Sequence, residues 1–580
     1  MTESNRYLGV TAPLALVDPS PRDLELTEEL VKTLQRFDAY ENEERTQQRR
    51  EILRYLEQVA RRHIMNICQR KKLPLEDCKN AGGKVLTYGS YNLGVHSRDA
   101  DIDTLCVIPS LVTREEFFDV MSNYLVANHR VHDLNVVKDA YVPVIKFKYD
   151  DIAIDLVCAR LNTPKVPDDV DLNDPNILYG LDNQSIRSLN GNRVSNDILT
   201  LVPNVDTFRV SLRCIKLWAN KRGIYSNVVG FLGGIAWALL VARICQLYPL
   251  ACPSTIISKF FGILIKWQWP SPVILRKIED DPTSSLKSWN ARTNPHDRLH
   301  KMPVITPSYP SMCSTHNVTA STFRIILGEF KMASETVDKI MNGTAPWNSL
   351  FSNHTFFQNY RHYLQVIVSS DSSSYQLKWA GLVEAKLRQF VIKLEAVPCL
   401  ALVHPFSKGF DYTYNCKSNA EVFIATRGVL PSKCSKPQSR PADKKIYTKV
   451  FYIGLYIRMN SGIFILQHGT YLSLSIESRT VDLSRPISEF THMVKNWSDY
   501  NKAHMGIVVE NLARSELPLD VRPSSSSKAA VAQRDSVGQK DSKINTPTRP
   551  NSAPISNNGN TNVNKKMKMN DLPILSSPAS

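Results

Sequence analysis

The chain has 580 residues, 43% of them hydrophobic and eight of them Trp, which is folded globular material too long for one core, so two to four domains are expected. Lys and Arg (71) outnumber Asp and Glu (55), and the formal charge of +16 points to a polyanionic partner while leaving the fold open. Eleven Cys occur without a Cys-x-x-Cys pair, so reduced thiols of an intracellular protein are expected rather than a zinc site or disulfide framework. The N-terminus is polar and shows no signal-peptide core. The longest apolar run, Val228 to Ala242, is too short to span a bilayer, and no membrane association is expected.

From the N-terminus, Leu8 to Val17 reads as a short strand-like piece closed by Asp18-Pro-Ser-Pro21. Thr27-Glu28-Glu29 reads as the cap of a long helix. Leu30, Leu34, Phe37, Ile52, Leu53 and Leu56, spaced among Glu, Arg and Gln, predict amphipathic helices. Those at about 20–60 are expected to pack on the central part of the molecule.

A strand-rich region follows at roughly 80–160, with a helix near 114–127. In it, Val85 and Leu86 lead into Gly89-Ser90 and then a segment able to open a short helix. Glycine lets a backbone approach a phosphate, serine adds a hydroxyl, and a helix N-terminus offers free N–H groups. Asp101-Ile102-Asp103 then starts the apolar run Leu105 to Ile108. The strand period sets both carboxylates on one face and Ile102 in the core. Two such carboxylates repel each other, and a shared hard cation, Mg²⁺ or Mn²⁺, removes the repulsion. The bland alternative is a solvated acidic turn.

A Gly-Ser turn, a short helix and an Asp-x-Asp strand together resemble the nucleotidyltransferase superfamily that includes DNA polymerase β. The resemblance implies a third carboxylate on a neighbouring strand. Val142 to Tyr149, an Asp150-Asp151 turn and Ile152 to Val157 read as a β-hairpin. Asp155 there sits among Ile154, Leu156 and Val157, where an unpaired carboxylate is costly. Asp101, Asp103 and Asp155 are the candidate triad, with a structural salt bridge as the alternative for Asp155.

Ser185 to Pro203 reads as a polar connection with short apolar pieces. Thr207 to Asn220 reads as a helix, Phe231 to Arg243 as a core helix whose Gly233 and Gly234 permit close approach, and helical patterns continue to about 340. Beyond 350, the strand Tyr360 to Ser369, the helix Trp379 to Leu394 and the strand Val450 to Ile457 suggest an α+β module of the RNA-recognition type. A basic loop, Lys433 to Lys449, interrupts it. After about 510 aromatic residues vanish, and the tail cannot bury enough apolar surface to fold alone. Lys565 to Lys568 reads as a nuclear-localisation patch. The expected architecture is multidomain, α/β and α+β: a nucleotidyltransferase palm at 1–162, an α-helical central domain at 163–348, an RNA-recognition-like domain at 349–510 and a disordered basic tail at 511–580.

Three longer motifs then come together: Ile215-Lys-Leu-Trp-Ala219, Ile224-Tyr-Ser-Asn227 and the run from Gly230 through Ile235-Ala-Trp to Tyr248-Pro249. With Tyr7-Leu-Gly-Val-Thr-Ala-Pro13 they are similar to eukaryotic nuclear poly(A) polymerases, over roughly residues 5–500. The resemblance implies attack by an RNA 3′-hydroxyl on the α-phosphate of ATP, with Asp101, Asp103 and Asp155 ligating two Mg²⁺ or Mn²⁺ ions. It puts Tyr88, Gly89, Ser90, Ser97, Asn190, Lys216, Tyr225, Gly234 and Ile235 around the ATP. It further implies a nuclear monomer working on RNA 3′ ends and poly(A), together with the cleavage and polyadenylation machinery.

The chain departs from the family pattern at three positions. Tyr88 stands where Phe is frequent, Asn220 where some members have Lys, with Lys221 next to it as a substitute cation, and Asp99 is an added acid expected to face solvent. Arg361, His362, Lys386, Arg388 and the 433–449 loop are the candidates for an RNA exit track. Without the family match, Lys216 reads as a surface lysine, Tyr225 as packing and Asn190 as a turn cap. Competing functions are an inactive RNA-binding scaffold on the same fold, a terminal transferase adding uridine or CCA, and a template-dependent repair polymerase.

Overall fold

The computed structural model describes residues 7–522 except 139, 281–285, 417, 427–443 and 458–480. Its first helix, α1 (Pro21–Arg36), starts earlier than expected. Ser20 and Asp23 form a capping box and Pro21 fills the first position, so Thr27 is an interior residue and not the cap. Leu8–Val17 is not a strand either: it is an irregular strap, held where the Leu14 N–H donates to the Leu247 carbonyl at 2.8 Å and Arg243 donates to Thr11 Oγ1 at 2.6 Å.

Next come α2 (Glu43–Arg70), α3 (Leu75–Asn80), β1 (Lys84–Thr87), α4 (Gly89–Asn92), β2 (Ile102–Ile108), α5 (Arg114–Ala127), β3 (Val131–Val137), β4 (Val144–Tyr149) and β5 (Ile152–Arg160). The five strands form a sheet in the order β1-β2-β5-β4-β3, with β2 and β5 parallel and the other pairs antiparallel. One face packs on α2 and α5, where Ile52, Leu56, Ile64, Phe117 and Phe118 share a core with Ile102, Cys106 and Ile154 of the strands.

The other face receives α6 (Asn183–Leu201), the stretch expected to be a connection. This helix buries Ser185, Ser188, Asn192, Arg193, Ser195 and Asp197 as well as Ile186 and Leu189. Its polar residues find partners: Ser185 Oγ accepts from Arg114 at 2.7 Å, and Asn192 Nδ2 donates to the Thr87 carbonyl at 2.7 Å. Burial of satisfied polar groups erases the apolar stripe by which a helix is read from sequence.

Helices α7 (Val205–Lys221), α8 (Gly234–Leu247), α9 (Pro253–Lys266), α10 (Pro295–Arg298) and α11 (Ala320–Met341) follow. Their core is an aromatic nest of Trp218, Trp237, Phe260, Phe261 and Phe330, and α1 contributes Leu26, Leu30 and Leu34 to the same core. The last region comprises α12 (Phe356–Asn359), β6 (His362–Ser370), α13 (Ser373–Glu395), β7 (Leu400–Pro405), β8 (Phe410–Cys416), α14 (Asn419–Ala425), β9 (Lys444–Ile457), α15 (Ser484–Lys495) and β10 (Met505–Ala513). It forms an antiparallel sheet in the order β10-β6-β9-β7, with β8 also paired to β9.

Two expectations change here. Lys444 to Lys449 lie in β9 and not in a loop, and Lys449 approaches Glu384 and Asp411 at 3.8 and 3.9 Å; the rest of the 433–449 stretch is outside the described residues. The folded chain also continues past 511, since β10 runs to Ala513 and Leu517 and Val521 are buried. The Lys565–Lys568 patch lies outside the described residues. Among the described residues no helix is long and apolar enough to cross a membrane.

Candidate active site

The site is built where β1 ends and the parallel strands β2 and β5 begin. Gly89 takes φ 63°, a left-handed conformation, and a Cβ there would collide with Asp103 Oδ2, so the turn can graze the acid only as glycine. The turn is pinned by the Tyr88 N–H donating to the Asp103 carbonyl at 3.0 Å and the Gly89 N–H donating to Ser195 Oγ at 3.2 Å. Ser90 then enters α4.

Parallel register sets Asp103 directly beside Asp155, and Asp101 stands just before β2. Ligand oxygens of the three acids lie within 4.8 Å of one another. Burial, then Asp101 and Asp155, push the Asp103 carboxyl up to about 7, against the pull of Lys146 and Lys216. Lys146, opposite Asp155 on β4, forms an ion pair with it. One lysine does not balance three carboxylates. An all-oxygen donor set with surplus negative charge fits a hard divalent cation.

The loop from Leu93 to Ala100, which joins the Gly-Ser turn to the acids, is held by cations through its carbonyls. Arg209 donates to Leu93 (3.1 Å), Arg213 to Gly94 (2.6 Å) and His96 (2.8 Å), and Lys216 to Val95 (3.0 Å). Arg45 donates to Arg98 (2.8 Å), and the fully buried Arg49 donates to Arg98 (3.1 Å) and Ala100 (2.6 Å) while pairing with Glu41 at 2.8 Å. Sequence reasoning assigns none of these arginines a role. Arg45 and Arg49 sit among many charges on a helix that looks solvated, and nothing local marks them as buried.

A cavity of about 600 Å³ opens over the turn and the acids. Its walls hold every candidate residue except Asp155: Tyr88, Gly89, Ser90, Ser97, Asp101, Asp103, Asn190, Lys216, Tyr225, Gly234 and Ile235. Burial lowers the Lys216 ammonium to about 8, Arg213 adding to the effect and the carboxylates opposing it. Burial raises the Tyr225 hydroxyl to about 12. A Cβ on Gly234 would meet Tyr225 Oη at 2.7 Å, so glycine lets the α8 start close on that ring. Asn190 Oδ1 is buried without a hydrogen-bond partner among the described residues.

Gly191, Ser195, Asn220 and Thr306 also line the cavity, although the sequence assigns none of them a role. Gly191 carries a signal: a glycine inside a helix needs a reason, and here a Cβ would lie 2.6 Å from the Tyr88 ring. Lys221 stands over the Phe37 ring at 5.4 Å and off the cavity wall. Asp99 is exposed. Arg361 and His362 sit at the start of β6, and Lys386 and Arg388 on α13, away from this wall.

Comparison with known proteins gives three consecutive family matches: the poly(A) polymerase nucleotidyltransferase domain over residues 9–202, the poly(A) polymerase central domain over 207–353, and the poly(A) polymerase predicted RNA binding domain over 355–530. The chain is 40% identical over 562 residues to poly(A) polymerase pla1 of Schizosaccharomyces pombe, covering 91% of this chain and 97% of that one. It is 40% identical over 553 residues to poly(A) polymerase PAPalpha of Candida albicans, covering 93% and 97%. A solved structure of a cytoplasmic RNA terminal U-transferase aligns with TM-score 0.37 at 14% identity, over 57% of this chain and 99% of that one.

Proposed function

The chain belongs to the poly(A) polymerase family, and from that premise we propose how its own residues carry the reaction. It is a polynucleotide adenylyltransferase, adding AMP from ATP to the 3′-hydroxyl of RNA without a template. The observation that carries the residue assignment is a phosphate-cradling turn and three crowded carboxylates in one cavity.

Asp101, Asp103 and Asp155 would hold two Mg²⁺ or Mn²⁺ ions. When bound, such ions supply the charge that makes the 3′-hydroxyl more acidic and offsets the negative triphosphate. Gly89, its N–H engaged by Ser195, lets the phosphates come close, and Ser90 at the start of α4 offers them its hydroxyl. Lys216, anchored to the Val95 carbonyl, adds positive charge that Asp101 and Asp103 help retain. Ser97 and the Tyr225 hydroxyl, which burial keeps protonated, are further donors on the phosphate side. Asn190, with its free Oδ1, faces an adenine amino group, and Ile235 packs on the base.

Arg361, His362, Lys386 and Arg388 form the RNA exit track in this reading, so affinity for oligo(A) should fall steeply with salt. The protein acts as a nuclear monomer within the cleavage and polyadenylation machinery. The folding units are 1–162, 163–348 and 349–510, extended at the C-terminus by β10 and the segment to Arg522; limited proteolysis at those joints tests the division.

The decisive experiment is extension of a labelled oligo(A) with each ribonucleotide separately, in Mg²⁺ or Mn²⁺. Long ladders with ATP alone, lost in EDTA and in Asp155→Ala, are expected. Ladders with UTP would move the chain to uridylyl transfer, and no extension alongside tight oligo(A) binding would make it an RNA-binding scaffold.

A further inference from the structure

A second cavity, of about 820 Å³, backs onto the first, and Val95, Ser97, Lys216 and Asn220 line both. Its remaining wall brings Arg45, Arg98, Arg213 and Lys408 together with Asp38, Asp99 and Asp151. Cations therefore outnumber carboxylates there four to three, and five to three with Lys216.

The cations differ in how their charge is met. Arg45 is paired with Asp151 at 2.6 Å. Arg213 gives its N–H groups to the carbonyls of Ala39, Gly94 and His96 and covers the Tyr40 ring, and Lys216 binds the Val95 carbonyl. Carbonyl dipoles satisfy the donors and leave the full positive charge in place. Arg98 and Lys408 are exposed and have neither an ion pair nor a side-chain hydrogen bond among the described residues.

The catalytic acids lie on a different side. Asp101 and Asp103 line the first cavity alone, and Asp155 lines neither. In phosphoryl transfer the attacking and leaving oxygens are roughly in line across the phosphorus. With the 3′-hydroxyl on the carboxylate side, the leaving group faces Lys216 and the 95–97 loop, which is the wall shared with the second cavity.

We propose that this second cavity is a pyrophosphate site through which the leaving group departs, and the proposal rests on the adenylyl-transfer reading above. The 3′ oxygen forms its bond to the α-phosphorus as the bond from that phosphorus to the bridging oxygen breaks. The hydroxyl proton passes to water, and pyrophosphate leaves with the bonding electron pair. Lys216 stands between the two chambers, so it meets the anion first, and Arg98 and Lys408 at the outer wall meet it next.

The test is product inhibition by inorganic pyrophosphate in the Arg98→Ala/Lys408→Ala double variant of the full chain, with Lys408→Glu as a second variant. Both side chains are exposed, so melting should match wild type. The inhibition constant for pyrophosphate should rise about five- to tenfold, as should the KM for pyrophosphate in the reverse reaction, the size expected for losing a charged contact or two. The initial rate and the KM for ATP, without added pyrophosphate, should stay within about twofold. An unmoved inhibition constant overturns the exit site, and so does a raised KM for oligo(A) with an unmoved inhibition constant, which would assign the cavity to RNA. Failure of the wild-type chain to incorporate AMP refutes the underlying reading instead.

Discussion

The two sheets handle crowded titratable groups in opposite ways. In the β1-β2-β5-β4-β3 sheet, register sets Asp103 against Asp155 with Asp101 close by, an arrangement in which like charges on adjacent strands oppose folding. In the β10-β6-β9-β7 sheet, His404 is enclosed by Phe231, Phe356 and Tyr360, shares a 2.6 Å hydrogen bond with Tyr360 Oη, and is kept neutral. Glycines follow the same division. Gly89 makes room for a carboxylate, whereas Gly454 makes room for the Tyr360 ring, which a Cβ there would strike. Repulsion is retained in the first sheet because a ligand can relieve it, while the second sheet leaves little unresolved.

The sharpest way to break this contrast is Asp103→Asn. Incorporation of AMP should fall by roughly 10²–10⁴, the range for losing one strong electrostatic group at a reaction centre. In EDTA the variant should melt at or above wild type, because a mutual repulsion has gone; a clear drop in melting temperature would mean that the acid is structural. Gly89→Ala and Gly454→Ala form a matched pair. The first adds a methyl against Asp103 at an unfavourable φ, and activity should fall by about 10² with the fold retained. The second should cost about 1–3 kcal/mol of stability by overpacking, with normal turnover per folded molecule.

Arg49→Lys probes the loop clamp next. The charge stays but the fork that reaches the Arg98 and Ala100 carbonyls is lost, so kcat should drop about tenfold with little change in the KM for ATP. In the second sheet His404 carries the matching test. Burial holds its imidazole at about 3, far below the ordinary 6.5, so the unfolded chain binds more protons between those values. Stability from this group is fully present above pH 6.5 and declines as pH falls towards 3, by about 1.4 kcal/mol per unit. Denaturant titrations from pH 7 to 5 should show that slope in wild type and a flatter one in His404→Gln.

How far the sequence can be read follows from the same physics. The Asp-x-Asp strand is legible because alternation with Ile102 and the following apolar run survives in one short window, and Asp155 because its neighbours are all apolar. The helix α6 is not, since its buried face mixes Ile186, Leu189, Val194 and Ile198 with polar residues whose partners, Thr87 and Arg114, come from elsewhere in the chain. The capping box at Ser20 is carried locally by Ser-Pro-Arg-Asp, but Thr27-Glu28-Glu29 offers a rival start signal a few residues on. The arginines that clamp residues 93–100 come from helices far apart in sequence, and Thr306 reaches the cavity from a loop far beyond Ser90 in the chain. Such convergence has no local trace.

The most direct test of the central claim is Mn²⁺ titration of the full chain, followed by the loss of the free-ion paramagnetic resonance signal, with and without a non-hydrolysable ATP analogue. Wild type should take up Mn²⁺, more tightly with the analogue, and Asp103→Asn and Asp155→Ala should lose this uptake while remaining folded. Uptake unchanged in both variants, or none in wild type, would contradict the assignment of the three aspartates as a metal site.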